Sequence, residues 1–297
     1  MQVGMNLPVM VPGLTRELVR EWCLRVDAGP WSSIAAGERI NFANPEIMVT
    51  LAAAAAWTSR VRVGFHVLVP AMHSAVLLAK QVATLDVLSS GRVSLGVGVG
   101  ARAEDYRAVG AVWDARLLSR LERSVETMKS VWRGGYRPDG STCAVEPLPM
   151  QTGGPELLAG VLMPQAIARA ARWADGISGF SFEPSRDDIE MRFESARSAW
   201  KEAGRDQPPK LVTGFWYALG SDPDEQIGAY LERYLGFMGE GAGRALAPNI
   251  RTRTPGALRD ALRMCRDLGA DEVLLVPTGS DPDEIDRAAQ IVAGFCG

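Results

Sequence analysis

Eight short apolar segments with strand character alternate with helical segments along this chain, and that order limits the fold more than any other feature. The strand segments are Gln2–Leu7, Ser32–Ala36, Arg60–Val69, Arg92–Gly96, Leu157–Gly160, Gly176–Phe182, Lys210–Leu219 and Glu272–Val276. Helical periodicity follows each one, as in the run from about Ala115 to Trp132 with Leu117, Leu121, Val125, Met128 and Val131 on one stripe. Thr15 reads as an N-cap, and Asn44-Pro45-Glu46 as another helix start. Strand–helix alternation implies parallel pairing through right-handed crossovers, and eight strands suffice to close a sheet. The predicted fold is a single-domain (β/α)8 TIM barrel over residues 1–297, with its site at the C-terminal ends of the strands. The alternative is an open doubly wound sheet, because strand number alone does not prove closure.

A chain of 297 residues can bury one large core. Net charge is −3 with both signs interspersed, which argues against a nucleic-acid surface. No apolar run approaches the length of a membrane span, and the first residues lack the basic leader of a signal peptide. Cys23, Cys143, Cys265 and Cys296 are scattered without a C-x-x-C pair, so reduced thiols and a cytoplasmic location are expected. Two histidines, His66 and His73, are too few for a multi-histidine metal site, and no metal is expected.

The richest stretch runs from Asp86 to Gly110. Its strand opens into Gly96-Val-Gly98-Val-Gly100, followed by Glu104 and Asp105. Alternate glycines keep Cβ atoms away on one side, so a flat ring or a phosphate could approach the backbone. In a barrel, Glu38, Arg39, His66, His73, Gly160 to Met163, Phe180, Phe182 and Phe215 to Tyr217 would converge on the same end. Apolar walls with a few placed polar groups suit a flat ligand. Each residue also has a plainer reading: a surface ion pair at Glu38-Arg39, a packed strand histidine at His66, core aromatics, and close-packing glycines. Gly96-x-Gly98-x-x-Ala101 fits a loose dinucleotide fingerprint, but three strand–helix units precede it, where a Rossmann fold would place it first. The irregular segment Gly134 to Pro155 is expected to form a lid.

Three blocks in order carry a family resemblance: LAAAAAWTSRVRVGFHVLVP to AVLLAKQVATLDVLSSGRVSLGVGVG and EDYRAVG, then PELLAGVLMPQAIARAARWADG, then VLLVPTGSDPDEID. Together they resemble the luciferase-like monooxygenase family, which includes deazaflavin-dependent reductases. The resemblance implies a barrel that binds reduced FMN or the deazaflavin coenzyme F420, a homodimer, a small organic substrate, and a flavin reductase among the partners. It places a non-proline cis peptide at His66-Val67, against one face of the ring. Gly160, Val161, Leu162 and Met163 match the phosphate-binding segment, and Gly96, Gly98 and Gly100 would admit ring or substrate. Glu38, Arg39 and His73 become the candidate catalytic residues.

The chain departs from that family at informative positions. An acid–histidine pair commonly follows the second strand; here it is Glu38-Arg39. A guanidinium cannot exchange protons near neutral pH, so Arg39 would orient or neutralise an anion, held by Glu38, while His73 carries protons. The hydroxyl residues common in the phosphate segment are replaced by Val161, Leu162 and Met163, leaving backbone donors alone. These departures motivate a second reading, a family member that binds a ligand or partner without catalysis.

Overall fold

The computed structural model describes residues 1–295, so Cys296 lies outside the described residues. Eight strands pair in parallel and close: β1 (Gln2–Asn6), β2 (Ser33–Ala36), β3 (Arg62–Leu68), β4 (Val93–Gly98), β5 (Glu156–Gly160), β6 (Gly176–Ser178), β7 (Lys210–Tyr217) and β8 (Glu272–Pro277). Closure is carried by β1 against β8, in the register Gln2↔Glu272 to Met5↔Leu275. The open-sheet alternative is thereby excluded. So is the dinucleotide reading of Gly96-x-Gly98, which ends the fourth strand of a closed barrel.

Helices α1 (Arg16–Ala28), α2 (Ile47–Trp57) and α3 (Ala75–Leu88) follow the first three strands. After β4 come a short α4 (Ala103–Ala108) and the long α5 (Leu117–Trp132); α6 (Pro164–Ala170) and α7 (Arg186–Glu202) follow β5 and β6. The β7 crossover is larger, with α8 (Pro223–Tyr234), α9 (Ala242–Leu246) and α10 (Pro255–Asp267), and α11 (Asp283–Val292) ends the chain.

Local chemistry sets several of these boundaries. The Thr15 hydroxyl accepts from the Leu18 N–H at 3.2 Å, as its sequence position predicts. At α2 the cap is Glu46 itself, whose carboxylate accepts from the Val49 N–H at 2.7 Å. α5 buries Leu121, Val125, Met128 and Val131, the predicted stripe. Helical sequence over about Pro223–Leu246 does not form one helix: it divides into α8 and α9 near Gly236 to Gly241, where Gly239 and Gly241 take positive φ.

The N-terminal end of the barrel is sealed by charge. Glu272 accepts from the Ser32 and Ser33 hydroxyls at 2.7 Å each and pairs with Arg62, while Lys210 reaches Glu156 at 2.7 Å. Burial pushes the Glu272 carboxyl up, but Arg62, Lys210 and the two hydroxyls outweigh it and hold it below the usual range. A network satisfied internally has little left for a ligand.

The segment Gly134 to Pro155 is irregular as expected, but it lies at this sealed end. It connects the C-terminus of α5 to the start of β5, an αβ connection. Gln151 ties it down: its N–H and side-chain amide meet the Asp86 carboxylate at 3.0 and 2.7 Å, and the amide also reaches the Val93 carbonyl. The predicted lid is therefore misplaced. The segment that does hang over the strand C-termini is the β7 excursion through α8 and α9.

Candidate active site at the strand C-termini

Strand β3 ends in an irregularity that shapes the mouth. Phe65 pairs with Leu95 and Leu68 with Val97, so β3 carries one residue more than β4 over this stretch. The His66–Val67 peptide within it is cis, as the sequence resemblance implied. Val67 projects over β4 and β5. A Cβ built on Gly96 would lie 3.2 Å from a Val67 methyl and 2.3 Å from the Phe65 carbonyl oxygen; one on Gly160 would lie 2.8 Å from Val67. Gly98 shows the same crowding, at 3.1 Å from Val67 and from the Gly160 carbonyl. The glycines thus make room for Val67 and the bulged backbone. The expectation that Gly96 and Gly98 open a space for a ligand is corrected: Val67 occupies that space. Gly100 differs, standing exposed with φ +66° and its Cβ direction 3.3 Å from Val69.

His66 is largely buried, with Nδ1 3.3 Å from the Asn6 side-chain oxygen. Burial pulls its imidazole down to about 4, against the opposing pull of the Gly179 carbonyl and the Glu272 charge. A histidine neutral across the physiological range is a fixed dipole here.

Glu38 and His73 form the ionisable pair of the mouth. The Glu38 carboxylate, 1% exposed, meets His73 Nε2 at 2.7 Å with one oxygen and accepts from the Val69 N–H at 2.7 Å with the other. Its backbone N–H bonds the Val67 carbonyl at 3.1 Å, so the pair is fixed to the bulge. Burial lowers the His73 pKa, but the hydrogen bond and charge of Glu38, with the more distant charge of Glu46, outweigh it and set it above the ordinary value. His73 keeps 24% of its side chain exposed and can exchange protons with a bound molecule.

Arg39 does not pair with Glu38, which corrects the expectation that the carboxylate holds the guanidinium. The two side chains take different partners. Arg39 is buried at 7% exposure, donates to the Tyr234 carbonyl at 3.0 Å, and lies over the rings of Phe42 at 4.0 Å and Tyr234 at 4.8 Å. The surface-pair reading fails as well.

Aromatic rings wall the β6–β7 side. Phe182 stacks on Trp216 at 5.4 Å, Phe180 meets Trp216 edge-on at 4.8 Å, and Trp216 meets Tyr234 at 5.6 Å. Phe215 and Tyr217 are fully buried in the core, the plainer of their two readings. In the proposed phosphate segment, the Val161 N–H is engaged by the Ala159 carbonyl at 3.0 Å and Pro164 has none. Leu162 and Met163 are 38% and 68% exposed, and their backbones are what the segment can offer an anion. A flat ring resting on Val67 beside His73 fits these residues; a phosphate fits with few donors.

Residues to which the sequence gave no role complete the mouth. Asp105 accepts from the Ile40 and Asn41 N–H groups at 3.2 and 2.6 Å, tying the β2–α2 connection to α4. Arg102, 9% exposed, pairs with Glu104 and with Asp105. Arg102 lies in the strand-end stretch from Gly96 to Glu104, but its residue type alone gave it no role. Tyr234 and Phe237 gave no signal, because nothing local marks a residue of the excursion as folding back over β2.

A closed barrel with an ionisable pair, a bulged strand and an aromatic wall at one end defines a (β/α)8 protein with its candidate site at the strand C-termini. Residues 19–293 match the model of the luciferase-like monooxygenase family, and the chain belongs to that family. An uncharacterised protein of Mycobacterium tuberculosis (strain ATCC 25618 / H37Rv) is 34% identical over 171 residues, covering 55% of this chain; that match spans 59% of the relative's length. The oxygenase component of a flavin-dependent trigonelline monooxygenase from Acinetobacter baylyi is 24% identical over 221 residues, 70% of this chain and 61% of that protein. In fold, the chain is similar to an F420-dependent secondary alcohol dehydrogenase, with a TM-score of 0.78 at 15% identity over 98% of each chain.

Proposed function

We propose that the protein is an oxidoreductase that uses reduced FMN or the deazaflavin coenzyme F420 on a small organic substrate. The observation that carries this reading is the Glu38–His73 pair fixed to the Val67 bulge, a proton donor beside an apolar seat for a ring. When bound, the cofactor supplies the redox chemistry. Val67 supports one ring face, and the neutral His66 fixes the bulge beneath it. His73, kept protonated by Glu38 towards neutral pH, donates a proton to the reacting molecule. Proton transfer of this kind contributes about a hundredfold or more to a rate.

Parallel anaerobic titration of the full-length chain with FMN, reduced FMN and coenzyme F420, followed by absorbance and fluorescence, tests the proposal. Saturable binding of reduced FMN or of the deazaflavin is the expected result. Binding of neither would replace this reading with that of a member which holds some other ligand or partner without catalysis.

Use of FMN would bring a flavin reductase as partner. A homodimer belongs to the same proposal: the neighbouring helices α2 and α3 expose Val49, Leu77 and Leu88, at 70%, 55% and 69%. Apolar surface of that kind favours association. Sedimentation should give a dimer at micromolar concentration, and a monomer there would remove this part of the proposal.

A further inference from the structure

Arg39 is a buried cation with no carboxylate partner among the described residues. Its polar contact is one neutral carbonyl, that of Tyr234, and its buried Nε has no hydrogen-bond partner. Aromatic faces compensate in part, but a buried charge is ordinarily paired. A second guanidinium stands close by. Arg102 and Arg39 lie over the same ring, that of Phe237, at 5.0 and 5.8 Å, and Arg102 leaves Nη1 buried without a partner. Arg102 is offset by Glu104 and Asp105; Arg39 is offset by nothing comparable. Two fork-shaped donors, one without a carboxylate and one with an unengaged Nη1, thus share one covering ring at the edge of the mouth.

We propose that Arg39, assisted by Arg102, anchors the carboxylate of a substrate whose body is flat and apolar, and that Phe237 moves aside to admit it to their N–H edges. The assignment rests on the reading of this mouth as a substrate site. A planar guanidinium matches a carboxylate through two parallel N–H donors, which favours that anion over a spherical one. Phe42, Tyr234 and the Phe182–Trp216 stack supply apolar walls for a flat body. Phe237 and Met238 are exposed at 42% and 54% and are followed by Gly239 and Gly241, both at positive φ, so the covering segment has few contacts to lose in moving. His73, paired with Glu38 and not with Arg39, would then face the reacting part of the molecule.

Calorimetric titration of the full-length protein with benzoate, benzamide and inorganic phosphate tests this, using wild type, Arg39→Gln and Arg39→Lys. Benzoate should bind wild type, and Arg39→Gln should weaken it about tenfold or more, with Arg39→Lys recovering part of the loss and benzamide unaffected by either. Because Arg39→Gln could fail to fold, a crystal structure of wild type with 4-bromobenzoate provides an independent reading, with the carboxylate expected on the Arg39 fork. Equal affinity for benzoate and benzamide, benzoate binding indifferent to Arg39→Gln, or bromobenzoate seated elsewhere would overturn the proposal. Phosphate binding at Arg39 more tightly than benzoate would also overturn it, in favour of an anchor for a cofactor phosphate. The same variants titrated with FMN and the deazaflavin separate the two claims. Wild type that binds neither reduced FMN nor the deazaflavin removes the oxidoreductase reading, and benzoate indifferent to Arg39 removes this one alone.

Discussion

Gly96→Ala is expected to destabilise the protein by about 3 kcal/mol and to abolish cofactor binding. The added methyl would stand 2.3 Å from the Phe65 carbonyl oxygen, a backbone atom of the neighbouring strand β3, and 3.2 Å from Val67. Alanine gains about 0.4–1 kcal/mol by restricting the unfolded chain, so the clash decides the sign. Relief requires moving the Phe65–Val67 stretch of β3, which carries the proposed seat of the ring. Gly228→Ala in α8 is the matched control: its Cβ direction is open and no positive φ is involved. That change should stabilise by about 0.5–1 kcal/mol and leave binding alone. Chemical denaturation of both variants, with cofactor titration, checks the contrast. A neutral Gly96→Ala would mean that the bulge is softer than its packing implies.

Glu38→Gln should cut turnover about a hundredfold while leaving cofactor affinity within about twofold of wild type. The amide oxygen can still accept from the Val69 N–H, so the backbone stays in place. What is lost is the carboxylate that holds the His73 proton. With Glu38 gone, burial dominates and the imidazole is neutral at pH 7. The pH dependence has a definite sign. A histidine whose folded pKa is raised stabilises the native state fully below its unfolded value, about 6.5, and loses that contribution as pH rises through the folded pKa. The stability gap between wild type and Glu38→Gln should therefore be widest near pH 6 and shrink towards pH 9. In turnover, the wild-type activity should fall on the alkaline side as His73 loses its proton. An unchanged pH profile in Glu38→Gln would remove His73 from the chemistry.

The barrel was legible in the sequence because each of its signals is local. Thr15 caps where it stands, the α5 stripe repeats every three to four residues, and eight apolar runs announce eight strands. The site was legible in part. Glu38, His66 and His73 were picked out by the rule that strand C-termini carry function and Val67 by the family resemblance; the structure gathers them at one end of the barrel, with partners the sequence did not foretell. Adjacent residues such as Glu38 and Arg39 suggest a pair, yet neighbours in an extended stretch point to opposite sides, and Arg39 finds Tyr234 across nearly two hundred positions. The spaced glycines were read as an opening because a sequence does not say which side chain enters the room they leave; Val67 enters it from the next strand. The Gly134–Pro155 error was avoidable. A segment that follows a helix and precedes a strand belongs to the N-terminal face of a barrel, whatever its composition.

The most direct test of the account is a crystal structure of the protein with whichever of reduced FMN or the deazaflavin it binds. One face of the ring should lie within about 4 Å of the Val67 side chain, with His73 on the substrate side of the mouth. A ring bound away from β3, or at the sealed end near Glu272, would contradict it.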